Sequence, residues 1–192
     1  MRLLTALLIV AASALAAAPI HAQDNAFTLT STDVKNGAFA PAQIFNSFGC
    51  TGKNVSPALA WKGAPSGTRS FVLTVYDPDA PTGSGFWHWV VMNIPASTTS
   101  LASGVSRTPK MPGVEMRTDF GTTGYGGPCP PAGDKPHRYI FTVHALKTEK
   151  LEVPADGTAA LVGFMINANR MGQASFTAKY GRPKAKPAPA AK

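Results

Sequence analysis

Two short segments concentrate the groups able to do chemistry. Asp77-Pro78-Asp79-Ala80-Pro81 holds two carboxylates in a stretch stiffened by its prolines. Each proline fixes its own φ and biases the residue before it toward extended backbone. Gly126-Gly127-Pro128-Cys129-Pro130-Pro131 is a Pro-rich loop whose glycines permit close approach of backbone to a ligand, and it leads to His137-Arg138-Tyr139. With His88, these segments offer imidazole N–H, phenolic O–H and backbone N–H donors to a small oxyanion. A carboxylate behind them would orient an imidazole through its other nitrogen. The expected roles are donation by His88, His137 and Tyr139, and orientation by Asp77. If the histidines bind as cations, affinity should weaken as pH rises through roughly 6.5. Asp79 reads as a turn-capping carboxylate beside the site. Arg138 points away from His137 by strand parity and reads as an ion-pair partner.

Other chemistries fit less well. Asp119-Phe120-Gly121 and His137-Arg138-Tyr139 echo kinase signatures, but in reversed order, with Tyr139 where a catalytic Asp would stand. No glycine cluster has dinucleotide or P-loop spacing, and there is no Gly-x-Ser-x-Gly elbow. A hydrolase built on Asp77 and His88 would need a nucleophile such as Ser84 or an activated water. His88, His137 and Asp77 lack characteristic metal-ligand spacing, so neither a metal nor a cofactor is expected.

The elements that must position these residues are mostly strands. β-type runs cover Phe27 to Thr30, Ala58 to Trp61, Phe71 to Tyr76, Trp87 to Ile94, Tyr139 to Leu146 and Ser175 to Tyr180. Gly (18) and Pro (17) are spread between them as turn formers. One helix is expected from about Thr158 to Met171, with Leu161, Met165, Ala168 and Met171 as its apolar face. The pattern implies a mainly β protein, an antiparallel β-sandwich with a late helix. Parity places His88 with Val90 and Met92, and His137 with Tyr139, Phe141 and Val143, while His144 belongs to the other face.

The 192-residue chain fits one domain. Arg2, the apolar run Leu3 to Ala18 and the small residues up to Ala22 have the layout of a secretory signal peptide. Cleavage after Ala22, or alternatively after Ala18, would deliver a periplasmic or secreted domain over 23–180. A basic Pro/Ala/Lys-rich tail over 181–192 has the composition of a disordered segment. The formal charge of +8 is concentrated toward that tail, which favours weak contact with anionic surfaces over nucleic-acid binding. Cys50 and Cys129 are the only cysteines. In an oxidising compartment they are expected to bridge, stabilising the fold by roughly 4 kcal/mol in the entropic model; two free thiols are the alternative.

The motifs Asp77 to Pro81, Trp87-His88-Trp89-Val90-Val91-Met92-Asn93 and Gly127-Pro128 through His137-Arg138-Tyr139 together resemble the phosphatidylethanolamine-binding proteins. Asn54-Val55-Ser56-Pro57, Arg117 to Gly121 and Phe141 to Leu146 agree with the bacterial Raf-kinase-inhibitor-like branch, and the resemblance runs from Phe27 to Tyr180. It implies a β-sandwich with a shallow pocket at one end for phosphate-like or carboxylate-like groups. Asp77, His88, His137 and Tyr139 would line it, with Pro81 and Gly127-Pro128 as rim and a cis bond before Pro81. The implied ligand is a small anion or a phosphorylated or phospholipid headgroup, with a protein partner as a further option. His88-Trp89 replaces the double histidine of the eukaryotic branch, and Cys50 and Cys129 are additions to it. The expected function is non-enzymatic binding after export. Inhibition of a protease or kinase through surface loops is the alternative, and hydrolysis a third reading.

Overall fold

The computed structural model describes residues 26–184; the leader and residues 185–192 of the tail lie outside the described residues. In chain order the elements are β1 (Thr28–Thr30), β2 (Val34–Lys35), β3 (Ala38–Phe39), β4 (Leu59–Lys62), β5 (Ser70–Asp77) and β6 (Phe86–Pro95). They continue with β7 (Ser100–Leu101), β8 (Val114–Glu115), β9 (His137–Leu146), α1 (Ala159–Asn169) and β10 (Arg170–Tyr180). A seven-stranded sheet has the order β2-β3-β10-β9-β5-β6-β8, and a three-stranded sheet the order β1-β4-β7. The long pairings are antiparallel, and β3 meets β10 in parallel. The mainly β sandwich with a late helix is therefore the architecture found.

The main core lies between the sheets, where Leu29, Leu59, Trp61 and Leu101 of the small sheet join Leu73, Val75, Trp89, Phe141 and Val143 of the large one. A second cluster, Val72, Val90, Met92 and Leu146 with Val162 and Ile166 of α1, covers the large sheet's other face. Burial on both faces explains why β5, β6 and β9 read as near-continuous apolar runs rather than clean alternations. The four two-residue strands β2, β3, β7 and β8 carry too little periodicity to be read from sequence.

Two sequence expectations change here. Thr158 does cap α1, its side chain accepting from Leu161 N, but the buried stripe is Ala159, Val162 and Ile166. Leu161 and Met171 are exposed, and Met171 belongs to β10. The helix contains no charged residue, so hydrophobic periodicity cannot distinguish its inner from its outer face. The second change is a β-bulge. Val75 pairs with Trp89 but Tyr76 pairs with Trp87, leaving His88 as an extra residue on β6. The parity of β6 therefore switches at His88. Trp87 packs toward the α1 face, while His88 meets Tyr139 of the inter-sheet core at 5.0 Å between ring centroids. A regular strand would have carried His88 to the side of Val90 and Met92.

Candidate functional site

Three central strands end at the same place. Asp77 closes β5, His137 opens β9, and the bulge near the start of β6 delivers His88. All three side chains are buried. His137 Nδ1 and Asp77 Oδ2 are 2.8 Å apart, and the other Asp77 oxygen accepts from the backbone N–H of Asp79 at 2.8 Å. Both carboxylate oxygens are thus engaged, which orients the imidazole. The remaining His137 nitrogen, Nε2, lies 3.6 Å from Asp134 Oδ2.

His88 is held differently. Its Nδ1 lies 2.8 Å from Gly126 O, and since a carbonyl only accepts, Nδ1 carries the proton. Gly126 N in turn donates to the His88 carbonyl. Burial pushes the His88 pKa down to about 4, against the weaker opposing pull of the Gly126 carbonyl and the Asp77 charge. At neutral pH the ring is uncharged and Nε2 is an acceptor. This revises the expected donation by His88, because its only proton is already given to Gly126. Tyr139, the next inward residue on β9, is buried with its hydroxyl unpartnered. Burial raises its pKa, and nearby Asp77 adds to the effect, so the phenol keeps its proton.

These groups meet at a cavity of about 190 Å³ lined by Asp77, His88, His137 and Tyr139 together with Pro81. The rest of its wall is mostly apolar: Phe48, Phe86, Phe120, Pro130 and Pro131, beside Cys129. Phe120 sets the aromatic side. Its ring meets Phe86 edge-on at 4.8 Å, His88 at 5.3 Å and Phe45 at 4.6 Å. Gly126 is what allows this placement, because a Cβ there would lie 2.1 Å from Phe120 Cε2. Sequence reasoning missed Phe48 and Phe120, which lie in loops with no local signal of their shared destination. Phe120 belongs to the Arg117 to Gly121 motif of the family resemblance, but nothing in that motif assigns its ring to the site.

Gly127 and Pro128 do not line the cavity. Gly127 faces the opposite way, where a Cβ would lie 2.1 Å from Gln43 O, and its N–H donates to Asn54 Oδ1 at 2.7 Å. Pro128 O accepts from Phe45 N at 3.3 Å. They anchor the wall from behind, and the wall itself is Cys129 to Pro131. The implied cis bond before Pro81 is also absent: peptide bonds among the described residues are trans, and the turn closes by donation from Thr82 N to Ala80 O at 2.8 Å. Asp79 and Arg138 stay outside the cavity as an ion pair. The Arg138 guanidinium reaches both Asp79 oxygens at 2.7 and 2.9 Å and holds the carboxyl down at about 2.

The rim is cross-linked. Cys50 and Cys129 form a disulfide with a Cα–Cα distance of 6.0 Å across a separation of 79 residues. Beside it Arg182 donates to Pro130 O at 2.6 Å and to Gly49 O at 3.0 Å, spanning the same two loops. Residues 181–184, assigned to the tail by composition, are thus partly docked on the body, with Arg182 bridging to Ala132. Among the described residues no group of three or more His, Cys, Asp or Glu side chains is arranged to hold a metal ion.

A family model described as phosphatidylethanolamine-binding protein matches residues 30–181. YbcL of Escherichia coli is 50% identical over 177 residues, spanning 90% of this chain and 97% of YbcL. YbhB of the same organism is 50% identical over 156 residues, 79% of this chain and 98% of YbhB. The crystal structure of YbcL, described as a new member of the mammalian family, superposes with a TM-score of 0.77, covering 81% of this chain and 98% of that one. A homologue from Chlamydia trachomatis, 28% identical, gives a TM-score of 0.70 and covers 82% and 99% of the two chains.

Proposed function

This chain belongs to the phosphatidylethanolamine-binding protein family, in its bacterial Raf-kinase-inhibitor-like branch, and from that premise we propose that its binding role is exercised by the Asp77–His137 cavity on a small phosphate-like or carboxylate-like group. The observation that carries the reading is that the buried Asp77–His137 pair lines the same cavity as Tyr139, whose hydroxyl is buried without a partner. A buried hydroxyl without a partner is costly, and an acceptor atom brought within its reach relieves that cost. His137, when protonated, offers Nε2–H to the anion, with Asp77 fixing the ring from behind. His88 plays the complementary part. As a neutral imidazole it accepts at Nε2, which suits a ligand carrying an acidic O–H, such as a phosphate monoester in its monoanionic form.

Export of the domain is part of the same proposal. The Cys50–Cys129 bridge supports it, since disulfides persist in oxidising compartments, and the leader-like start of the sequence points the same way. Calorimetric titration with inorganic phosphate and phosphoethanolamine tests the site. His137→Ala is expected to weaken both by about tenfold or more, through loss of a charge-assisted hydrogen bond. Equal affinities for the two proteins would remove His137 from the site.

A further inference from the structure

The cavity is larger and more apolar than an inorganic oxyanion requires. Its polar groups lie together on the strand ends, whereas the opposite wall is formed by Phe48, Phe86 and Phe120 with Pro130 and Pro131. Such a division, a few convergent polar groups against an apolar wall, is how small-molecule sites separate orientation from affinity.

Phe48 is poorly explained by folding alone. Its side chain is 69% exposed although it is large and apolar, so it adds little to the core. Its backbone has φ 53°, a left-handed conformation unfavourable for a bulky residue. The structure nonetheless holds it there. Cys50 N closes a turn on Ser47 O at 2.9 Å, the disulfide ties Cys50 to Cys129, and Arg182 grips Gly49 O. The Phe48 ring stands nearly parallel to Phe120, with centroids 6.2 Å apart and planes 17° from each other. A strained, exposed aromatic fixed over a cavity points toward recognition rather than stability.

Building on the anion reading of this cavity, we infer that its ligand is a small molecule in which the oxyanion is joined to a flat apolar ring, an aryl phosphate or aryl carboxylate. The anion sits against His137 and Tyr139, and the ring packs on the Phe48, Phe86 and Phe120 side. Phe48 is then the specificity-determining residue. It adds contact only for ligands that carry a ring, through edge or offset stacking.

Methyl phosphate and phenyl phosphate carry the same anionic group and differ in the substituent alone, so calorimetry with this pair on the disulfide-intact protein isolates the ring. Phenyl phosphate should bind about tenfold more tightly than methyl phosphate, the scale expected for burying an aromatic face. In Phe48→Ser, an exposed position where folding is not at stake, the ratio should fall to within about twofold. Phe120→Leu should lower it as well. If the wild type binds both esters with equal affinity, the aryl inference is overturned while the anion site stands. If phenyl phosphate is preferred and Phe48→Ser keeps the full preference, Phe48 loses its assigned role and the inference fails in that form. If neither ester binds, the anion reading falls and takes this one with it.

Discussion

The cavity end of the large sheet and the face beneath α1 each bury a histidine, and burial alone does not tell them apart. His88 and His144 both have pKa values pushed down to about 4, chiefly by burial. His144 touches Thr74 Oγ1 through Nε2 at 3.3 Å, and its Nδ1 is buried without a partner. It does not line the cavity that holds Asp77 and His137. His88 has its proton placed by Gly126 and its ring turned by a bulge into a cavity it shares with Asp77, His137 and Tyr139. A perturbed imidazole marks a site only when other polar groups converge on the same space.

The largest test of this comparison is acid titration of stability. Each imidazole is protonated below about 6.5 in the unfolded chain but only below about 4 in the folded one. The unfolded state therefore binds more protons in that window, and stability falls as pH drops through it. The loss should be on the order of 3 kcal/mol per histidine at its full extent. Thermal melts from pH 7 to 4 should show it. His144→Gln should remove one share of the loss without altering phosphate affinity. If it weakened phosphate binding as much as His137→Ala, the two faces would not be functionally distinct.

Replacing both cysteines, Cys50→Ser with Cys129→Ser, should cost about 4 kcal/mol in the entropic model. It should also weaken phenyl phosphate binding, because the bridge joins the Phe48 loop to the Pro130 wall. On the helix side, Ile166→Ala should cost about 3 kcal/mol through a cavity under α1 and leave ligand affinity unchanged. Chemical denaturation paired with calorimetry separates the two outcomes. The smallest effect is expected from Arg182→Ala, about 1 kcal/mol of stability for its backbone hydrogen bonds, together with weaker phenyl phosphate binding. No change in binding would make Arg182 a purely structural clamp.

The same contrast governs what the sequence discloses. The polar residues at the strand ends were legible because Pro78, Pro81 and the Gly/Pro loop punctuate them and the runs behind them are long. Parity served for His137 because β9 pairs with β10 without interruption as far as His137. It misplaced His88 because a bulge adds one residue, and nothing in Trp87-His88-Trp89 announces where the extra residue lies. The outer face of α1 was misread for a related reason, since a mostly apolar helix without charged residues has no marked side until a sheet selects one. Phe48 and Phe120 became site residues only through long-range closure of loops, which local pattern does not encode. Gly127 was legible as a position of close approach, but its neighbour proved to be the chain at Gln43 rather than a ligand.

The most direct test of the central claim is an NMR titration of the imidazole resonances of the oxidised protein with methyl phosphate at constant pH. The signals of His137 and His88 should move together and saturate along one binding curve, while those of His144 stay in place. Binding that leaves His137 unmoved, or that shifts all three imidazoles alike, would contradict an anion site built on the Asp77–His137 pair.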